Sequence, residues 1–263
     1  MPVPLTDALD QTGGVVIVTG GTKGVGRGIA DRFLEAGAEV VVTARNEPDE
    51  PLRAAGREAA FIAADIRDVD QIDAVVAFTL ERFGRLDHLV NNAGGSPMAD
   101  AATASPRFST AIINLNLMAP LFFAQRANAV MQAQEGGGSI INIGSVSGTR
   151  PSPRSAAYGA AKAGLLNLSQ SLAIEWAPKV RVNVVTGGII RTEQAHLHYG
   201  DDDGIAAVAR TIPMQRMGLP SDIADACLYL ASPLASFVTG TNLSVHGGGE
   251  RPAFLDAANV ETP

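Results

Sequence analysis

The sequence predicts one α/β domain: an open, parallel, seven-stranded sheet, doubly wound with helices on both faces. Three observations predict it. Short β-branched runs alternate with longer stretches of helical period, the runs are apolar throughout rather than at every second residue, and a glycine-rich turn follows the first of them. Strands covered on both faces lose the polar alternation of half-exposed ones. Strand, helix, strand repeated in this way implies crossover connections and therefore a parallel sheet.

The strands are expected, in order, at GVVIV (14–18), EVVVT (39–43), AAFIA (59–63), RLDHLVN (85–91), SIINIG (139–144), VRVNVV (180–185) and TNLSVH (241–246). Between them, Val25, Ile29 and Phe33 form one helical stripe that stops at Gly37. Val69, Ile72, Val76 and Phe83 form a second, and Leu165, Leu168 and Leu172 a third that ends before Pro178. Residues 191–220 interrupt the alternation, as a lid or binding loop would. Residues 1–13 and 250–263 read as surface tails on a single domain spanning 1–263. No internal repeat, low-complexity tract or linker is visible.

Composition narrows the function. The 263 residues are 46% hydrophobic and 18% charged, enough apolar surface for a large core. A net charge of −7 argues against nucleic acid or an anionic membrane as partner, because phosphates are held by clustered Lys and Arg. The single cysteine, Cys227, shares helical spacing with Ile223 and Leu230, which suits a buried thiol in a reducing compartment. With no basic-then-apolar leader and no run of about 20 apolar residues, a cytoplasmic location is expected.

The turn TGGTKGVG (19–26) lies at the carboxyl end of the first strand and opens a helix. There, Gly20, Gly21, Gly24 and Gly26 let backbone N–H groups approach a pyrophosphate at the positive end of that helix. A turn required only for close helix packing is the alternative. Asp65 follows the third strand, where it could meet an adenine amino group or cap a helix. NNAGG (91–95) follows the fourth, as a second close approach or a plain turn. After the second strand stand Ala44 and Arg45, where an acid would otherwise grip both ribose hydroxyls. Arg45, helped by Lys23, would instead attract a 2′-phosphate, so NADP(H) is preferred and NAD(H) possible. Either cation could also be solvated surface.

Taken together, TGGTKGVG (19–26), NNAG (91–94), NLMAP (116–120), INIGSVSG (141–148), YGAAK (158–162) and RVNVVTGGIIRT (181–192) resemble the short-chain dehydrogenase/reductase family over residues 14 to about 248. The resemblance implies a Rossmann-type domain. It assigns dinucleotide contacts to Gly20, Thr22, Lys23, Gly24, Val25, Gly26, Arg45, Asp65, Ile66, Asn92, Ala93, Gly94, Tyr158, Lys162, Gly188, Ile189 and Thr192. Within that set, Ile189 would hold the carboxamide through its backbone and Thr192 would lie near the pyrophosphate. Catalysis falls to Ser145, Tyr158 and Lys162, and Asn116 would hold a water relaying protons to Lys162. The resemblance also implies isologous contacts through the helix starting near Tyr158 and the one before it, hence a homotetramer or homodimer.

The chemistry of YGAAK can be argued from its residues. Positions four apart share a helix face, so Tyr158 and Lys162 address one volume. Bringing a phenol of pKa about 10 into use near neutrality requires roughly 3 to 4 kcal/mol. A unit charge at about 4 Å and an effective dielectric near 20 supplies about 4 kcal/mol. The expectation is therefore a phenol made acidic by Lys162, exchanging a proton with a carbonyl or alcohol oxygen that Ser145 also hydrogen-bonds. A packed tyrosine beside a snorkelling lysine is the alternative; for Asn116 it is a polar group bonded to backbone.

Gly187 stands where the family usually has proline, which leaves that turn less restricted. His196, His198 and Tyr199 fall in the 191–220 segment without the company a metal site needs. The expected substrate is a small ketone or secondary alcohol. A 3-oxoacyl group on acyl carrier protein is the alternative, although 124–138 offers that acidic partner only Arg126. A nucleotide-binding sensor or scaffold is the non-enzymatic alternative.

Overall fold

The computed structural model describes residues 7–257. Seven strands make one parallel sheet in the order β5-β2-β1-β6-β7-β8-β9. They are β1 (Val15–Thr19), β2 (Glu39–Ala44), β5 (Ala60–Ala63), β6 (His88–Asn91), β7 (Gly138–Ser145), β8 (Val180–Gly187) and β9 (Asn242–Val245). All seven lie where the apolar runs place them. The order reverses between β1 and β6, and the crevice at such a reversal is where open α/β sheets bind ligands.

Both faces are covered, which is why the strands are apolar at every position. Val16 and Val18 pack with Ile29, Phe33 and Leu34 of α1 (Gly24–Glu35) and with Ile223, Cys227 and Leu230 of α8 (Pro220–Ala231). Ile17 points the other way, toward Ile72 and Val75 of α2 (Val69–Phe83), Phe123 and Met131 of α4 (Ala119–Ala133), and Leu172 of α5 (Ala156–Trp176). Cys227 is a buried free thiol. Helix α3 (Pro106–Ile113) runs through a single π turn at Asn114–Met118 into α4. By length and composition alone, this 28-residue helix is apolar enough to cross a membrane. Here it buries Ala119, Phe123, Ala127 and Met131 against the sheet and carries Asn116 and Arg126.

Three features depart from the sequence reading. A two-residue hairpin, β3 (Arg53–Ala54) with β4 (Arg57–Glu58), precedes β5. It turns at Ala55 and Gly56, both at positive φ, and is too short to show a period of two. The 191–220 segment is largely helical, with α6 (His196–Tyr199) and α7 (Asp202–Thr211). Of the expected N-terminal tail, residues 1–6 lie outside the described residues, and 7–13 are not loose surface. Ala8 and Gln11 are buried, and Gln11 N–H donates to Ala36 O at 2.8 Å. Of the C-terminal tail, Glu250 pairs with Arg150, Ala253–Ala257 is helical, and 258–263 lie outside the described residues.

Helices α1 and α8 approach so closely that a Cβ on Gly28 would lie 2.5 Å from Pro220 Cβ and 3.1 Å from its carbonyl carbon. Gly28→Ala should therefore destabilise by about 1–3 kcal/mol, although alanine is the better helix former. Urea denaturation measures it; a midpoint equal to or above wild type would mean that this contact does not require glycine.

Candidate active site

At the carboxyl ends of the strands, one cleft of about 520 Å³ runs from the glycine turn to the Tyr158 helix. Its floor depends on Thr19, the last residue of β1, whose Oγ1 accepts from Asn92 N–H at 2.9 Å and Ala93 N–H at 3.0 Å. Asn92 Nδ2 returns a bond to Thr19 O at 2.9 Å, so the two turns flanking the reversal form one unit. Gly20 and Gly24 take positive φ, +62° and +56°. At Gly26 a Cβ would lie 2.2 Å from Gly20 O and 2.4 Å from Asn92 Nδ2. No side chain fits there, and the main chain at the start of α1 lies open to the cleft.

Buried polar contacts set the other end. The eight-residue register of β7 against β8 brings Ser145 beside Gly187 at the strand tips. Asn91 Nδ2 donates to Asn142 Oδ1 at 2.9 Å, and Asn142 Nδ2 donates to Ser169 Oγ at 2.9 Å, tying β6 and β7 to α5. One turn above Leu165, Lys162 is 3% exposed and its Nζ donates to Ile143 O at 2.7 Å. Lys162 Nζ lies 5.8 Å from the centre of the Tyr158 ring. Asn116, fully buried in the π turn, donates to Gly95 O at 3.0 Å and Ile112 O at 2.9 Å and accepts from Gly95 N–H at 2.8 Å.

Electrostatics in the folded chain run against one expectation. Burial raises the Tyr158 phenol above its ordinary value, and a hydrogen bond with Ser145 offsets this only in part. Lys162 is not among the causes of that shift, and its own ammonium is desolvated and brought down to about 8. Dehydration disfavours the charged form of each group, so phenol and amine move toward neutrality together. The lysine shift has a definite sign for stability. Its folded value lies below the 10.5 of the unfolded chain, so the folded state resists protonation. The penalty is full below pH 8, on the order of 3 kcal/mol, and fades as pH rises toward 10.5.

The cleft is lined by Gly20, Lys23, Gly24, Val25, Gly26, Arg45, Asp65, Ile66, Asn92, Ala93, Gly94, Ser145, Tyr158, Lys162, Gly188 and Thr192 from the expected set. Thr22, Ile189 and Asn116 are not among its lining residues, and Ile190 is. Asn116 instead backs the wall, since a Cβ on Gly94 would meet both Asn116 Oδ1 at 2.6 Å and Lys162 Nζ at 3.5 Å. His196, His198 and Tyr199 also lie outside the lining. Asp65 does not present a free carboxylate: Arg67 forks onto it, with Nε 2.9 Å from Oδ1. This pairing lowers the Asp65 pKa. Sequence reasoning missed Arg67, Thr19 and Glu193. Thr19 opens the glycine motif and so carried a signal; the other two carried none.

The implied dinucleotide fits this cleft: a cradle that any Cβ would fill sits at the start of α1, whose own residues provide no side-chain cap. Comparison with known proteins agrees. A family model described as enoyl-(acyl carrier protein) reductase matches residues 20–250. The 3beta-hydroxysteroid dehydrogenase 1 of Eggerthella lenta is 37% identical over 246 residues, covering 91% of this chain and 94% of that one. The 2-dehydro-3-deoxy-D-gluconate 5-dehydrogenase of Escherichia coli is 34% identical over 248 residues, covering 93% and 98%. A short-chain type dehydrogenase/reductase from Mycobacterium marinum superposes with a TM-score of 0.87 at 31% identity, covering 95% of this chain and all of that one. The chain belongs to the short-chain dehydrogenase/reductase family and is an oxidoreductase acting between CH–OH and C=O groups.

Proposed function

We propose that the protein is an NADP(H)-dependent oxidoreductase of a small ketone or secondary alcohol, with Tyr158 as its acid and base. The observation that carries this reading is a single cleft with the glycine cradle at one end and Ser145, Tyr158 and Lys162 at the other. When bound, the nicotinamide dinucleotide supplies or takes up the hydride. The chain's own residues handle the proton. Tyr158, held in its protonated form by burial, gives its proton to the carbonyl oxygen, and Ser145 hydrogen-bonds the same oxygen as charge develops there. Lys162, at about 8, can reload the phenolate near neutral pH. Asn116 Oδ1 has accepted one hydrogen bond and keeps a second lone pair, which the relay reading gives to a water on the way to Lys162.

The preference for NADP(H) rests on local charge. Arg67 neutralises Asp65, so Arg45 and Lys23, set against Glu193 alone, leave this end of the cleft positive. The exposed face of α5, with Ile174 83% exposed, supports a homotetramer or homodimer. The buried free thiol suits a reducing, cytoplasmic setting. An acyl group on carrier protein is the second reading, favoured by the description of the matching family model. Against it, Arg126 already pairs with Asp73 at 2.9 Å and so offers an acidic partner little.

Tyr158→Phe should lower kcat/KM for ketone reduction by about 10²- to 10⁴-fold with little change in NADPH affinity; unchanged turnover would remove the mechanism. Reduction requires both Tyr158 and Lys162 protonated, so its rate should hold level below pH 7 and fall as pH passes about 8, while alcohol oxidation rises with pH. Steady-state profiles in both directions check this, and a reduction rate that climbs through pH 9 contradicts it. Arg45→Asp should weaken NADPH binding by about tenfold or more and leave NADH binding less affected. Fluorescence titration of both nucleotides measures it, and no change in their ratio counts against the phosphate assignment.

A further inference from the structure

The N-terminus of α1 is held by a residue from far along the chain. Glu193 Oε1 accepts from Gly24 N–H at 3.0 Å, across 169 positions of sequence. Helix α1 has no cap of its own: Lys23 at the cap position makes no side-chain bond, and the first turn contains no acidic residue. The opening amides of a helix need outside acceptors, and the helix dipole favours an anionic one. Glu193 supplies that anion at the spot where the glycine cradle is shaped for a phosphate oxygen. Thr192 leans on the same place, since a Cβ on Gly24 would meet Thr192 Cγ2 at 3.6 Å and Glu193 Oε1 at 3.9 Å.

The chain on either side of Glu193 is tied down unequally. Before it, Ile190 bridges to Gly218, with Arg191 N–H donating to Gly218 O at 2.8 Å and Gly218 N–H to Ile189 O at 2.9 Å. After it, among the described residues, the main-chain hydrogen bonds run between near neighbours, with Ala195 N–H donating to Thr192 O at 3.0 Å, until the last residue of α7, where Thr211 O accepts from Arg251 N–H at 3.1 Å. The ion pair of Arg191 with Asp202, at 4.0 Å between exposed groups, is weak. The Glu193 carboxylate thus ties the start of the segment to the glycine turn, while its far end is held at Thr211.

We infer that Glu193 is an internal placeholder for the cofactor phosphate, displaced when the dinucleotide binds, so that occupancy of the cradle loosens the 193–210 segment at its Glu193 end. The inference rests on the dinucleotide reading given above. Two anions cannot share one N–H at bonding distance, and each repels the other. A bound phosphate therefore shifts the segment by as much as it outcompetes the carboxylate. Removing the competing charge strengthens cofactor binding, the opposite of what loss of a structural residue does. A carboxylate at a helix N-terminus is worth about two- to fivefold in an equilibrium constant, which sets the size of the gain.

The test combines NADPH titration by nicotinamide fluorescence on wild type, Glu193→Gln and Glu193→Ala with hydrogen exchange across 193–210, with and without NADPH. The expected result is about two- to fivefold tighter binding in both variants. NADPH should also speed exchange in 193–210 of the wild type, and the free Glu193→Gln protein should already exchange at the faster rate. Affinity that is unchanged or weaker in the variants, while wild type binds NADPH, overturns the placeholder alone. So does wild-type exchange in 193–210 that NADPH leaves unchanged or slows, an arm that needs no variant to fold. Wild type that binds neither NADPH nor NADH overturns the dinucleotide reading and the placeholder with it.

Discussion

The buried bond from the Lys162 ammonium to the Ile143 carbonyl is the contact on which the Tyr158–Ser145 end of the cleft depends. It joins α5 to the tip of β7, the two elements that carry Tyr158 and Ser145. With the chain of amide and hydroxyl bonds through Asn91, Asn142 and Ser169, it holds that helix in one position against the sheet. Buried polar groups that are fully paired act in this way, because any other placement leaves a donor unsatisfied. The cost is a desolvated charge, visible as a lysine brought down to about 8. A penalty of this kind at a functional site is offset by packing elsewhere, here by the two apolar layers on either face of the sheet.

Desolvation also changes how the tyrosine is understood. A neighbouring positive charge would favour the phenolate, whereas burial favours the phenol, and among the chain's own groups burial prevails. The resting group is therefore an acid ready to donate rather than a base ready to accept. On the proposed mechanism, making it a base would require a further positive charge in the cleft, which the oxidised nicotinamide would supply.

At the opposite end of the cleft, electrostatics act through bare backbone. The cradle works because Gly26 leaves no room for a side chain and because the amides of α1 lack a partner within their own helix. An uncapped helix start attracts anions without distinguishing among them, and in this fold a carboxylate from the 191–220 region reaches it. Neighbouring charges are balanced in a similar way: Arg67 takes up Asp65 and leaves Arg45 without a competing acid on that wall. The sign of the potential along the cleft is a property of these pairings more than of the overall charge of −7.

Much of this was legible in the sequence. The seven strands announced themselves because burial on both faces demands uninterrupted apolar runs, a local pattern that one segment can display unaided. The glycine turn and the Tyr158–Lys162 spacing were equally plain, since turn sterics and helix periodicity act over a few residues. The two-residue hairpin at Arg53–Glu58 was too short to show a period, and α7 lay hidden in a charged stretch. The direction of the Tyr158 shift, the neutralisation of Asp65 and the seat of Glu193 on Gly24 were decided by the tertiary structure alone. The reason is physical: chain order sets backbone conformation locally, but desolvation and charge pairing depend on which groups share a volume, and only the folded packing brings those groups together.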